Sequence, residues 1–350
     1  MKVATQPDSK LRVIATGYPG NAWYALAASE EITDEPFGTR ALDRPVVLYR
    51  VTDGSAVALA DRDAHRPYPL SLGQVVGDTI VSGYSGFAYD RHGTCVRVPT
   101  QPHVPYGAQV PSYPVCEHDG MVWVWLGEPS LADRRPPEQT PWLSDPAWIT
   151  FGGQWETAAH IQLLLENFAD ITHVAVVDPV ISPPALAAEV TPPLEVQLTE
   201  TTVTFHREWP PAPIPAWQAE VTGVSPEQAY PQREEGAFLS PGLWTDRWDV
   251  QIPENQGGTQ TFRFTHALTP VDMHTTRHIW RVSRNFAPGE AATAALRPIF
   301  ESYYRRVQEI LQTMQRVIDT DGYGEVSVAA DVAALQVRKI MRRLIADEGL

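Results

Sequence analysis

Between residues 41 and 128 the chain is chopped into short runs of β-branched and aromatic residues. The runs are Val46–Val51, Val57–Asp61, Thr79–Ser82, Phe87–Tyr89 and Met121–Leu126, and turn text at Asp53-Gly54, Arg91-His92-Gly93 and Gly127 separates them. Runs this short bury their apolar side chains only by pairing as strands, so this part is predicted to be all-β. The last run, VWVWLG, alternates valine with tryptophan, as in a strand packed on both faces. Beyond it the period changes. Residues 157–177 read as a helix, with His160, Leu163, Leu164, Asn167 and Phe168 at helical spacing. Residues 193–207 and 259–286 return to strand patterns, and 291–314 and 332–346 are helical. The basic run RKIMRR in the last helix reads as a solvated face. The fold class is therefore α+β, and 350 residues suit two domains.

Charge and cysteine content narrow the function classes. Lys and Arg number 27 against 42 Asp and Glu, a net charge of −15. Phosphate backbones and anionic lipid surfaces repel such a chain, so neither nucleic acid nor membrane is an expected partner. No apolar run approaches the roughly 20 residues that span a bilayer, and the first residues, MKVATQPDSK, lack the apolar core of a signal peptide. Two cysteines, Cys95 and Cys116, exclude a disulfide framework and a cluster held by four of the chain's own thiolates. The expectation is a soluble cytoplasmic protein acting on a small molecule.

Two motifs carry a family resemblance. DRDAHRPYPLSLG is followed by IVSGYSGFAYDRHGTCVRVP, then SYPV and VWVWLG. This text resembles the Rieske domain of Rieske-type non-haem iron oxygenases, including the O-demethylase type. The family pattern, Cys-x-His followed by Cys-x-x-His, places its [2Fe–2S] ligands at Asp63, His65, Ser82 and Ser85 here, so only His65 keeps the family's residue type. These are read as vestigial cluster positions, because a carboxylate and two hydroxyls do not replace thiolates and an imidazole. The second motif, ENFADITHVAVVDP, resembles the family's iron-binding segment. Glu166, Asn167, Asp170 and His173 match, Asp178 stands at the second His position, and the third ligand position falls at or beside Tyr304. The family's Asp170 position bridges the iron site to a cluster ligand of a neighbouring subunit.

The resemblance implies a Rieske-like β domain (residues 20–145) and a helix-grip domain (146–350), in which a curved antiparallel sheet surrounds a large apolar pocket. It also implies a homo-oligomer, as a trimer. With the metal ligands replaced, the expectation is no metal, no cofactor, and a cofactor-independent cyclase or isomerase acting on a bulky apolar biosynthetic intermediate. The alternatives are a non-catalytic partner subunit of an active oxygenase, or an oxygenase with an atypical metal site. His173, Asp178, Tyr304 and Asp170 are the expected catalytic residues, converging where the iron would lie. Trp244, Trp248, Trp280, Asn167 and Phe168 are the expected substrate-binding residues, in a pocket of several hundred Å³.

Overall fold

The computed structural model describes residues 17–187, 190–321 and 325–349; the N-terminal stretch MKVATQPDSK lies outside them. The first part of the chain is strand-rich: β1 (Trp23–Ala28), β2 (Phe37–Ala41), β3 (Arg44–Arg50), β4 (Ala56–Ala60), β5 (Gln74–Val76), β6 (Thr79–Val81), β7 (Ala88–Tyr89), β8 (Cys95–Arg97), β9 (Ser112–Tyr113), β10 (Val115–His118) and β11 (Met121–Trp125). They form three small sheets, in the orders β1-β11-β10, β2-β3-β4-β9 and β5-β6-β7-β8. In β11 every residue of Met121–Trp125 is buried, which is why valine and tryptophan alternate there.

A short helix, α1 (Pro129–Ala132), leads to the second part. There β12 (Ile149–Thr157), helices α2 (Ile161–Ala169) and α3 (Val174–Val177), β13 (Glu195–Leu198), β14 (Val203–Ala212), α4 (Ala216–Thr222), β15 (Tyr230–Ser240), β16 (Leu243–Val250), β17 (Gln260–Asp272), β18 (Thr275–Arg284), α5 (Glu290–Asp321) and α6 (Val332–Asp347) follow. Seven strands form one sheet, ordered β12-β18-β17-β16-β15-β14-β13 and antiparallel throughout. Strand alternation puts Asp246 and Trp248 of β16, and Phe262, Phe264 and His266 of β17, on one face. The register pairs Trp248 with Phe262 and Asp246 with Phe264.

Helix α2 lays Leu163, Leu164 and Phe168 into a core with Phe205, Phe238 and Trp244 of the sheet and Val337 and Ile340 of α6. A second core gathers Phe151, Trp248, Phe262, Trp280, Phe300 and Tyr304. The expected helix at 157–177 is shorter than its period suggested. Residues up to Thr157 belong to β12, and α2 stops at Asp170, whose backbone is extended. The basic run of α6 is not simply a solvated face. Arg338 is largely buried and ion-paired with Glu166 and Glu325. No helix among the described residues is long and apolar enough to cross a membrane.

Candidate functional site

At the first motif, a carboxylate takes the centre. Asp63 is 1% exposed. Its Oδ2 accepts hydrogen bonds from the hydroxyls of Ser82, at 2.6 Å, and Ser85. Its Oδ1 accepts from the Tyr89 hydroxyl at 2.7 Å and the His65 backbone N–H at 3.0 Å. Tyr89 in turn accepts from the Ala64 N–H at 2.9 Å. The His65 ring rests 5.2 Å from that of Phe87. Burial pushes the Asp63 carboxyl up, but the bonds from Ser82, Ser85, Tyr89 and His65 outweigh it and hold the group below its ordinary value. Asp63 thus ties the 61–68 and 82–87 loops together.

A [2Fe–2S] cluster does not fit this donor set. No thiolate is offered at the four positions, and the carboxylate and hydroxyls satisfy one another. Cys95 is buried and donates to the Arg97 carbonyl. Tyr89 was not singled out by the sequence reading, although it sits inside the quoted GF-x-YD text.

The second motif is held by α2 and its C-terminal end. His173 Nδ1 lies 2.7 Å from the Asp170 carbonyl, which fixes the proton on Nδ1. Its Nε2 is buried without a partner. That half of the arrangement is what a metal-binding imidazole needs. The remainder does not match. Asp178 Oδ1 accepts from the N–H groups of Val180 and Ile181, and its Oδ2 lies 3.8 Å from Arg306 Nε. Tyr304 is packed among rings, 4.9 Å from Trp280, 5.7 Å from His266 and 5.9 Å from His278. Among the described residues, no three His, Cys, Asp or Glu side chains come together as a metal site. The residues present therefore do not fit a 2-His-1-carboxylate iron.

An aromatic cavity of about 110 Å³ lies beside this motif. That is smaller than the expected several hundred Å³. Phe168, Trp248, Phe262, Phe264, Phe300 and Tyr303 are among the aromatic residues of its wall, beside aliphatic ones such as Ile171, Ile181 and Leu186. Of the expected residues, Asn167, Phe168, Trp248 and Tyr304 line it. Asp170, His173, Asp178, Trp244 and Trp280 are not among its lining residues, so of the expected catalytic residues only Tyr304 faces this space.

Different polar groups face the cavity. Asp246 Oδ1 accepts from Trp244 Nε1 at 2.7 Å, and its Oδ2 is 3.4 Å from His266 Nε2. His266 Nδ1 is 3.0 Å from His278 Nε2, and the His266 ring stacks on Phe168 at 3.9 Å. Glu234 accepts from Trp209 Nε1 at 3.0 Å and lies 3.7 Å from Arg207. Burial pushes Asp246 up to about 8 and Glu234 up to about 7. It also pushes His266 down to about 3, so this imidazole is neutral. None of Asp246, Glu234 and His266 was legible as a motif; the only local signal is the every-second-residue spacing of Phe262, Phe264 and His266.

The comparisons with known proteins agree with the fold. Residues 22–114 match the Rieske [2Fe-2S] domain. The dicamba O-demethylase oxygenase component of Stenotrophomonas maltophilia is 28% identical over 342 residues, covering 93% of this chain and 97% of that protein. The toluene-4-sulfonate monooxygenase system iron-sulfur subunit TsaM1 of Comamonas testosteroni is 28% identical over 338 residues, covering 94% and 97%. The crystal structure of dicamba monooxygenase bound to 3,6-dichlorosalicylic acid superposes with a TM-score of 0.88 at 26% identity, covering 95% of this chain and 99% of that one. These relatives are named as oxygenases, which is redox catalysis, and that overturns the expected cofactor-independent cyclase or isomerase. Residues 157–347, more than half of the chain, match the vanillate O-demethylase oxygenase C-terminal domain, and the chain belongs to that family.

Proposed function

We propose that this chain is an oxygenase-type protein that binds a compact, apolar, single-ring small molecule in the aromatic cavity. The observation that carries the reading is the cavity itself, walled by Phe168, Phe262, Phe264 and Phe300 beneath α2 and sited next to the motif that places the chain in its family. The rings exclude water and fix the plane of the substrate ring, and Asp246 and His266 meet its polar edge. The relatives are named as oxygenases, and since the residues at the iron position of this chain do not fit an iron, an oxygenase-type turnover needs its oxygen-activating metal centre from a partner oxygenase. Because Asp63, Ser82 and Ser85 do not fit a cluster, reducing equivalents have to reach the substrate by a route other than this chain's own Rieske-type domain. A homo-oligomer and a cytoplasmic location belong to the same reading.

Two measurements test it. Saturable binding of single-ring aromatics is expected to change the fluorescence of Trp248, which lines the cavity. Phe264→Trp, which fills the space, is expected to weaken binding by about tenfold or more while the thermal melt confirms a folded protein. Substrate-dependent oxygen uptake above that of the partners alone is expected when this chain is added to a reductase and a cluster-bearing oxygenase of the family. Product formation under strict anaerobiosis would overturn the oxygenase-type reading.

A further inference from the structure

The charges that face the cavity do not balance. Glu234 has Arg207 at 3.7 Å as its cationic neighbour. Arg247, the one guanidinium among the lining residues, is committed to Asp249 at 2.9 Å and Glu235 at 3.8 Å. No lysine lines the cavity. Asp246 is left with one neutral donor, Trp244 Nε1, and the neutral His266 ring, whose Nε2 lies 3.4 Å from Oδ2. An indole N–H only donates, so Trp244 supplies a donor to Asp246 Oδ1 but no charge. An ionised Asp246 would thus have no cation among the lining residues to compensate it. Burial pushes Asp246 up to about 8, against the pull of the Trp244 bond.

The surrounding walls favour the missing charge. Phe168, Phe262, Phe264, Phe300, Trp248 and Tyr303 present π-systems around a space of about 110 Å³. The negative faces of such rings attract an organic cation, and a desolvated ion pair gains more than an exposed one. The chain's net charge of −15 raises the local concentration of cations as well. We propose that the cavity selects an apolar, single-ring-sized organic cation, such as a small aromatic amine or an N-alkylated heteroaromatic, with Asp246 as its counter-ion and the aromatic rings as its cage. This deepens the proposed function and rests on its reading of the cavity as the substrate site.

The test uses three probes of similar size on the full chain, by titration calorimetry at low salt: N-methylpyridinium, its neutral isostere toluene, and benzoate. N-methylpyridinium is expected to bind about tenfold or more tighter than toluene, and benzoate more weakly than either. In Asp246→Asn the affinities for N-methylpyridinium and toluene are expected to fall within about threefold of each other. Toluene or benzoate binding as tightly as the cation would overturn the inference while leaving the cavity reading intact. A cation preference that survives Asp246→Asn overturns the assignment of the counter-ion. Binding of none of the three overturns the cavity reading along with the inference. If Asp246→Asn does not fold, the wild-type ranking of the three probes decides by itself.

Discussion

Arg338→Ala is expected to cost about 3–5 kcal/mol of stability, as much as truncating a buried apolar residue of the helices it joins. Arg338 reaches from α6 to α2, where its Nε donates to Glu166 Oε1 at 2.6 Å and its Nη2 to Glu166 Oε2. The same Nη2 donates to Glu325 at 2.9 Å. Gln162 Nε2 adds a bond to Glu166 at 2.8 Å. Burial pushes the Glu166 carboxyl up against the pull of Arg338, so the carboxylate depends on its cation. Truncating Arg338 strands that charge between two packed helices, whereas an exposed pair would cost about 1 kcal/mol or less. Urea unfolding followed by circular dichroism measures the difference. The double replacement Glu166→Gln with Arg338→Met is expected to recover much of the loss, since it removes both charges together. A loss below about 1 kcal/mol for Arg338→Ala would place the pair with ordinary surface ion pairs.

The second large effect belongs to Asp63. Its replacement by alanine leaves the donors of Ser82, Ser85, Tyr89 and the His65 backbone without their acceptor in a site that is almost fully buried. The expected loss is about 2–4 kcal/mol. Asp63→Asn keeps one acceptor oxygen and is expected to lose less. The pH dependence follows from the direction of the shift. Hydrogen bonds hold the folded-state carboxyl below its ordinary value, so the ionised group stabilises the fold above an unfolded-state value of about 3.9. That contribution is lost as pH falls through the lower folded-state value. Between about pH 5 and 8 the stability gap between wild type and Asp63→Asn should stay constant, and it should narrow below about pH 4. A gap that widens on acidification would contradict an ionised Asp63.

The small sheets were legible because their apolar strands carry their own turn text, as VWVWLG does here, with Asp119-Gly120 before it and Gly127 at its end. Other elements were hidden by tertiary context. Ile149–Thr157 pairs with β18 along its whole length, and Gly152 and Gly153 accommodate the backbone and ring of Trp280. A local period does not contain that partner, so the helix was read too long. Strands β15 and β16 were missed because QREEG and TDRWD look solvated, although Gln232, Glu234 and Asp249 are buried. Arg338 deceived the charge pattern in the same way: its partner lies 172 positions away.

The candidate site divides along similar lines. The positions Asp63, Ser82, Ser85, His173 and Asp178 were readable because the family text around them is contiguous in the chain. The cavity's polar edge was not readable. Asp246 and His266 meet only because β16 and β17 are registered with Trp244 opposite His266. Function followed the same split. Replaced ligands suggested departure from oxygen chemistry, whereas the relatives that cover nearly the whole chain are named as oxygenases.

Iron and acid-labile sulfide per chain, measured with the visible spectrum after anaerobic incubation of the full-length protein with ferrous iron and sulfide, test the replaced donor set most directly. Asp63 saturated by Ser82, Ser85 and Tyr89 predicts well under one iron per chain and no absorbance from a [2Fe–2S] centre. The triple replacement Asp63→Cys, Ser82→Cys and Ser85→His, treated in the same way, is expected to gain that absorbance. Stoichiometric iron and sulfide with a [2Fe–2S] spectrum in the unaltered chain would contradict it.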